Sequence, residues 1–281
     1  MTFLRPAVVA AIALLLPATV ASQTPGPVGA TAAPLEIGVT FTIDSRALGE
    51  ARRINVYLPP GHIVDSGPPL PVLYMPDGGI GEDFLHVAGL VQVSVGNGTM
   101  RPFLLVGIEN TQRRRDMTGP TENPEDRKIA PSVGGSAAFR SFIRDELMPA
   151  IAARYRVTDE SAIVGESLAG LFVVETFLLE PKLFDTYIAF DPSLWWNRGE
   201  LVTRASGRLG DAAGRTLYLA SSSQSELSEL TRRLAEVLAA HAPPTLRWHH
   251  EPMPDETHAT IYHPAALRAF RSLFGPPPRG E

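Results

Sequence analysis

Residues 161–170 read Ser-Ala-Ile-Val-Gly-Glu-Ser-Leu-Ala-Gly, which is the pattern of a buried strand, a tight turn and the start of a helix. Small residues on both sides of Ser167 let the backbone form a sharp, strained turn, which lifts the hydroxyl above the carboxyl end of a sheet. The serine then lies at a helix N-terminus, where unpaired N–H groups and the helix dipole stabilise a developing oxyanion. We therefore predict that Ser167 is a nucleophile, with a simple helix cap as the alternative role.

The segments on either side of this turn alternate between strand and helix patterns. An opening pair of strands is predicted over Leu35–Ile43 and Arg53–Leu58. Short runs that are typical of buried parallel strands predict the others, over Pro71–Met75, Phe103–Ile108, Ser161–Gly165, Thr186–Phe190, Thr216–Ala220 and Leu246–His250. Apolar residues at helical spacing predict helices over Glu82–Val95, Ala137–Tyr155, Leu168–Leu179, a short segment near Leu201, Glu226–Ala240 and Pro264–Phe274. This alternation predicts an α/β fold with a single doubly wound, mostly parallel sheet, helices on both faces, and one domain over residues 35–274.

The first 22 residues have the pattern of a secretory signal peptide. Arg5 gives the N-terminal region a positive charge, residues 7–16 form an apolar run, and Thr19-Val20-Ala21 has the small residues typical of a cleavage site. The apolar run is shorter than the roughly 20 residues of a membrane-spanning helix, so we expect no stable membrane insertion after cleavage. An uncleaved anchor is the alternative. Residues 23–34 are predicted to be a flexible spacer and residues 275–281 a flexible tail, and the mature protein is expected to be secreted or periplasmic.

The composition excludes several classes of function. The chain has 281 residues, of which 44% are hydrophobic and 20% charged, a balance typical of a globular domain. It has no cysteine, which excludes a thiol nucleophile, disulfides and cysteine-based metal centres. The net charge of −5, without a basic stripe, argues against nucleic acid as a partner. No His-Glu-x-x-His motif or other convincing ligand spacing is present, so we expect neither a metal nor a cofactor.

A nucleophilic serine needs an acid and a histidine base, which follow it along the chain in that order in this type of fold. We predict His258 as the base, because it lies in the loop between the last predicted strand and the last predicted helix. We predict Glu226 as the acid, because it comes shortly after the end of a strand. Asp191, at the end of the preceding strand, and Glu229 are alternatives. A charge in the first turn of a helix is the other role open to Glu226.

Backbone N–H groups near Ser167 are the candidates for an oxyanion hole. Leu168 directly follows the nucleophile, and Gly78 and Gly79 follow an early strand, where the second donor is expected. The backbone of a glycine can approach a substrate closely, because no side chain stands in the way. A plain turn at these two glycines is the alternative.

Candidate substrate contacts come from two other places. Trp195 and Trp196 follow a strand end and are predicted either to line the cleft or to pack in the core. The long irregular stretch Glu109–Gly134 has a length that is typical of functional loops, and it carries Arg115 within a run of three arginines. Arg115 is predicted to meet an anionic or catecholate substrate, or to belong to a solvated charge cluster.

Five ordered motifs cover the chain from about residue 36 to residue 274. They are Pro71-Val-Leu-Tyr-Met-Pro-Asp-Gly, Val106-Gly-Ile-Glu-Asn-Thr with Arg115-Asp-Met-Thr, Gly165-Glu-Ser-Leu-Ala-Gly, Phe190-Asp-Pro-Ser-Leu-Trp-Trp, and His258 ahead of Leu273-Phe274. With them the chain resembles the putative esterase family of α/β-hydrolases, in the branch of the enterochelin esterases Fes and IroE. The resemblance implies the α/β-hydrolase fold, Ser167 as nucleophile and His258 as base. The chain departs from the family at Asp191, where relatives often carry Ser, and at Ala169, where many carry Gly.

These patterns together predict a secreted serine esterase. Ser167 would attack a carboxylic ester, and water would release the resulting acyl-enzyme while His258 moves the proton. By resemblance, siderophore-type trilactone esters are candidate small-molecule substrates. An acyltransferase and a catalytically inactive binding protein on the same fold are the alternatives. The sequence indicates no oligomeric state.

Overall fold

A computed structural model describes residues 31–59, 61–62 and 66–276 of the protein. All strands and helices given below belong to one compact unit, which begins at residue 37. The predicted signal peptide, residues 23–30 of the predicted spacer and residues 277–281 of the predicted tail lie outside the described residues. Within the described ranges, no helix combines the length and the apolar character that a membrane crossing requires.

In this part of the chain eight strands form one sheet in the order β1-β2-β4-β3-β5-β6-β7-β8. Their bounds are β1 Val39–Ser45, β2 Glu50–Tyr57, β3 Leu70–Pro76, β4 Leu104–Ile108, β5 Val157–Glu166, β6 Thr186–Phe190, β7 Thr216–Ser221 and β8 Arg247–Pro252. β2 pairs antiparallel with β1 and with β4, and every other pair is parallel. The predicted single, mostly parallel sheet is therefore confirmed.

Helices cover both faces of the sheet. They are α1 Phe84–Gly96, α2 Arg113–Asp116, α3 Ser136–Phe142, α4 Met148–Arg154, α5 Leu168–Leu179, α6 Trp196–Arg204, α7 Ser225–His241 and α8 Tyr262–Phe274. Side chains of β3 alternate between the two faces, as a strand dictates: Val72 and Tyr74 join one buried cluster, while Leu73 and Met75 join the other. The first cluster contains apolar residues of α3, α4, α5 and α7, and the second contains those of α1 and α8.

All eight predicted strands are present, with ends that shift by a few residues. The predicted helix Ala137–Tyr155 is also present, but a π-helical turn over Ile143–Leu147 separates α3 from α4. The stretch Glu109–Gly134 is irregular, as predicted, apart from α2 and a 3₁₀ turn over Asp126–Lys128.

The sheet topology determines where a site can form. From β3 the chain moves to β4 on one side, and from β5 it moves to β6 on the other, so the winding direction changes between β3 and β5. In open α/β sheets, ligands bind outside the carboxyl ends of the strands at such a change of direction. Ser167 follows the carboxyl end of β5, and Asp191 follows that of its neighbour β6. The predicted nucleophile thus lies at the edge where a binding site is expected.

Candidate active site

Ser167 forms the turn between β5 and α5. Its φ of 60° and ψ of −119° are a conformation that costs a non-glycine residue on the order of 1–3 kcal/mol. Backbone hydrogen bonds hold this conformation: the Ser167 N–H donates to the Phe190 carbonyl at 3.0 Å, and the Ser167 carbonyl accepts from Leu171 at 2.9 Å and from Ser193 at 3.0 Å. The strained turn that the sequence predicts is therefore confirmed.

Glycines on both sides of Ser167 leave no room for a side chain. A Cβ added to Gly165 would lie 2.7 Å from the carbonyl carbon of Ala169, closer than Cβ atoms approach backbone in proteins. A Cβ added to Gly170 would lie 3.0 Å from the carbonyl oxygen of Phe190, which is also tight. These two glycines allow α5 to start directly against the ends of β5 and β6.

His258 lies half-buried in the loop between β8 and α8 and links the serine to a carboxylate. Its Nε2 is 3.1 Å from the Ser167 Oγ, and its Nδ1 is 3.0 Å from the Asp191 Oδ2. The hydrogen bond to the Asp191 carboxylate is the largest cause that raises the pKa of His258 above its ordinary value of 6.5. The structure thus brings the predicted nucleophile and the predicted base within hydrogen-bonding distance of each other.

Asp191 directly follows β6 and is completely buried. Its Oδ1 accepts the backbone N–H of Ser222 at 2.6 Å, and its own N–H donates to the Ala220 carbonyl at 2.9 Å. These bonds tie Asp191 to the neighbouring strand β7 and leave Oδ2 directed at the imidazole. Asp191, one of the alternatives that the sequence offered, therefore stands in the position of a catalytic acid.

Glu226, the acid that we favoured from the sequence, does not share this position. It is exposed in the first turn of α7, and Glu229 one turn later is exposed and pairs with Arg232 at 2.8 Å. The strand order explains the correction. Because β6 pairs directly with β5, Phe190 lies beside Glu166, and the residue after Phe190 reaches the end of the strand that carries the serine. β7, which leads to Glu226, is one strand further away.

Glu166, the last residue of β5, is a second carboxylate at His258 that our sequence analysis did not identify. Its Oε1 lies 3.1 Å from the His258 Nδ1. Burial raises the pKa of Glu166 to about 7, although the charges of His258 and Arg113 favour its ionised form. The one signal in the sequence is its place immediately before the nucleophile, inside the turn motif.

Glu166, Asp191 and His258 are also the one group of metal-capable side chains found among the described residues, with ligand atoms that lie within 4.8 Å of one another. Both carboxylates approach the same nitrogen, Nδ1, while Nε2 is directed at Ser167. This arrangement fits a histidine that Asp191 orients through a hydrogen bond, with Glu166 as a second carboxylate beside the same nitrogen.

The predicted oxyanion donors differ in their hydrogen bonding. Leu168 is the first residue of α5, where N–H groups have no carbonyl partner within the helix, so it fits the predicted role. The Gly78 N–H donates to the Ile108 carbonyl at 2.9 Å, and the Gly79 N–H donates to the Glu82 Oε2 at 2.7 Å. Both glycine donors are therefore engaged within the protein, contrary to the expectation that they face a substrate. The direction of an N–H within a turn depends on tertiary contacts that the sequence does not reveal.

Arg115 belongs to an ion-pair network with Glu50 and Asp116. Its guanidinium donates to the Glu50 carboxylate at 2.7 Å and to the Asp116 carboxylate at 2.7 Å, and the bond to Glu50 is the largest cause that raises its pKa. Arg52, which is completely buried, donates to Asp116 as well. These bonds satisfy Arg115 and tie α2 to β2, which corrects the predicted role in substrate binding.

Trp195 and Trp196 differ in burial, which bears on whether each of them lines the cleft or packs in the core. Trp196 is buried, and its indole N–H donates to the Gly119 carbonyl at 2.9 Å, so it anchors the long loop to α6. Trp195 is half-buried against the core, with its ring centroid 6.0 Å from that of Trp196. Trp195 thus keeps a partly exposed face and remains a predicted substrate contact, whereas Trp196 packs.

The sequence profile of the family described as Putative esterase matches residues 45–250. The chain belongs to this family. A solved structure of an IroE-like serine hydrolase from Shewanella oneidensis is 30% identical, with a TM-score of 0.76 over 84% of this chain and 80% of that protein. The BES protein from Bacillus cereus is 21% identical, with a TM-score of 0.74 over 87% of this chain and 98% of its own, and shows the fold alone. The family membership and the α/β-hydrolase fold that the resemblance implied are confirmed.

Among curated relatives, the ferri-bacillibactin esterase BesA of Bacillus subtilis (strain 168) is 38% identical over 115 residues. The match covers 38% of this chain and 37% of BesA. The chain spans about a third to two thirds of the length of the curated relatives that it matches.

Proposed function

We propose that this protein is a serine esterase in which Ser167 is the nucleophile, His258 the base and Asp191 the acid. The observation that carries the proposal is the continuous hydrogen-bonded chain from the Ser167 hydroxyl, through both nitrogens of His258, to the buried Asp191 carboxylate. The backbone strain at Ser167 supports the same assignment, because such strain concentrates at functional positions. A protein that only binds its ligand has no requirement for this arrangement.

In the proposed reaction, the Ser167 Oγ attacks the ester carbonyl carbon while its proton moves to the Nε2 of His258. Asp191 accepts the Nδ1–H, so Nε2 is free to take that proton, and the negative charge of Asp191 stabilises the imidazolium that forms. The N–H of Leu168, at the start of α5, stabilises the oxyanion. The alcohol leaves with the proton from Nε2, and water repeats the sequence to release the carboxylic acid and restore Ser167.

We further propose a siderophore-type ester, such as an enterobactin-like trilactone, as the substrate. The support is the membership in the Putative esterase family together with the name of BesA, a ferri-bacillibactin esterase. The pattern of a signal peptide in residues 1–22 supports an exported protein, which would meet this substrate outside the cytoplasm.

The nucleophile is tested by intact mass spectrometry after treatment with a fluorophosphonate. Ser193 supplies a matched control, because its Oγ lies 3.5 Å from the Ser167 Oγ. We expect one adduct on the wild type and on Ser193→Ala, and none on Ser167→Ala. No adduct on a folded wild-type protein would contradict the triad and favour a protein that only binds its ligand.

The acyl acceptor and the substrate are tested on the same preparations. We expect release of free acid from a short p-nitrophenyl ester and from a cyclic catecholate trilactone, with a higher kcat/KM for the trilactone. Transfer of the acyl group to an added alcohol in preference to water would instead identify an acyltransferase. Turnover of the p-nitrophenyl ester without any turnover of the trilactone would contradict the proposed substrate class but not the esterase.

A further inference from the structure

Two carboxylates approach a single nitrogen of His258. The Asp191 Oδ2 lies 3.0 Å from Nδ1, and the Glu166 Oε1 lies 3.1 Å from the same atom. Only the first contact has hydrogen-bond geometry. Since Nδ1 carries at most one proton, it can donate one strong hydrogen bond, and the two carboxylates compete for it.

Glu166 has no evident structural task in this place. Its Oε1 is buried and has no hydrogen-bond partner among the described residues, although its side chain is 15% exposed overall. A buried carboxylate oxygen without a partner is unfavourable, so such a group in a native protein calls for a functional reason. Asp191, by comparison, uses its second oxygen to accept the Ser222 N–H.

The charges around Glu166 come from several elements of the fold. The groups that influence it are His258 before α8, Arg113 in α2, Asp191 after β6 and Asp83 before α1. Glu166 in turn helps to raise the pKa of the buried phenol of Tyr262 in α8. Burial, together with the negative charges of Asp191 and Asp83, raises the pKa of Glu166 to about 7, against the opposing effect of His258 and Arg113. Glu166 therefore changes charge close to neutral pH, in the range where a histidine base works.

We propose that Glu166 is a positioning residue for His258, a reserve carboxylate that accepts the Nδ1–H when Asp191 does not. This inference rests on the proposed esterase activity. In the wild type, ionised Glu166 adds negative charge beside the imidazolium that forms when Nε2 takes the proton of Ser167. Without the Asp191 carboxylate, a small rotation of the Glu166 side chain turns the 3.1 Å contact into a hydrogen bond, and the proton stays on Nδ1 throughout.

A double-mutant cycle tests the reserve role. Asp191→Gly removes the carboxylate and suits the positive φ of 40° at this position, and Glu166→Gln keeps the size of the side chain. With a p-nitrophenyl ester we expect kcat to fall by less than about 5-fold in Glu166→Gln and by about 10–100-fold in Asp191→Gly. In the double variant we expect kcat to fall by about 10⁴-fold, which is the loss seen when a triad acid is removed entirely. KM should change little, because neither carboxylate binds the substrate. Glu226→Gln in the Asp191→Gly background is the matched control and should add nothing.

An NMR titration of His258 provides a readout that does not depend on turnover. The signal is assigned by its loss in His258→Gln. We expect the wild-type curve to depart from a single step, because Glu166 changes charge beside the imidazole ring. We expect the curve of Glu166→Gln to be a single step with a lower midpoint, because a negative charge that raises the pKa of His258 is lost. An unchanged midpoint of the His258 titration in Glu166→Gln would overturn the proposal. A Glu166→Gln substitution that lowers kcat by the same factor in the presence and in the absence of Asp191 would also overturn it. A normal NMR result without esterase activity would instead contradict the proposed function alone.

Discussion

Replacing Ser167 by Gly is expected to leave a more stable protein than replacing it by Ala. The φ of 60° and ψ of −119° at this position are a conformation that glycine adopts without strain and alanine does not. Both substitutions remove the hydroxyl and its contact with His258. The difference between the two variants therefore contains the free energy of the strained backbone, reduced by the greater freedom of glycine in the unfolded chain.

The size of the effect follows from two opposing contributions. Relief of the strain contributes about 1–3 kcal/mol in favour of glycine. The greater freedom of glycine in the unfolded chain costs about 0.5–1 kcal/mol relative to alanine. The net advantage of Ser167→Gly lies between about 0 and about 2.5 kcal/mol, which corresponds to a Tm that is higher by up to about 10 °C for a domain of this size.

Differential scanning calorimetry of the two variants measures this difference. The same pair of substitutions at Ser193 is the control, because Ser193 is not among the described residues that have a positive φ. There we expect the opposite sign, with the glycine variant less stable by about 0.5–1 kcal/mol. A Ser167→Gly variant that melts below the Tm of Ser167→Ala would refute the argument that backbone strain is stored at Ser167.

Three further predictions concern the acid, the ion-pair network and the pH dependence. In a p-nitrophenyl ester assay, Glu226→Gln should leave kcat within about 2-fold of the wild type, whereas Asp191→Gly should lower kcat at least about 10-fold. A larger loss of kcat in Glu226→Gln than in Asp191→Gly would instead favour Glu226 as the acid. Arg115→Ala should lower the free energy of unfolding, measured by urea titration, by about 1–3 kcal/mol, since hydrogen bonds between charged groups are lost. A large rise in KM would instead indicate that Arg115 contacts the substrate. The proposed base is neutral His258, whose pKa is raised, so the acid limb of the kcat/KM profile should have its midpoint above 6.5. A midpoint below 6.5 would contradict the Asp191 hydrogen bond.

The elements that the sequence predicted well are those with a local pattern. The strands β3, β4, β6 and β7 are short and fully buried, and α5 is buried and mostly apolar, so their local sequences identify them without knowledge of their neighbours. The turn at Ser167 was equally visible, because glycines at fixed spacing around a serine, with a strand before them and a helix after, are typical of this strained turn.

The ends of elements and the irregular loop were harder to predict. β1 begins at Val39, opposite Val56, and not at Leu35, because the pairing with β2 starts there. The π-helical turn Ile143–Leu147 inside a continuous amphipathic pattern left no trace in the sequence. Such details depend on which residues meet across the sheet, and a single sequence does not record those partners.

By itself, the sequence predicted the doubly wound sheet and pointed to Ser167 and His258 as the proposed nucleophile and base, because these predictions rest on local patterns and on order along the chain. Only the tertiary structure decided which carboxylate serves His258. Strands that are consecutive in the chain need not be equally close to Ser167. Because β6 is the direct neighbour of β5, it brings Asp191 to the imidazole, whereas Glu226 lies exposed on α7. The same holds for Glu166, whose contact with Nδ1 arises because the loop after β8 folds back over the end of β5.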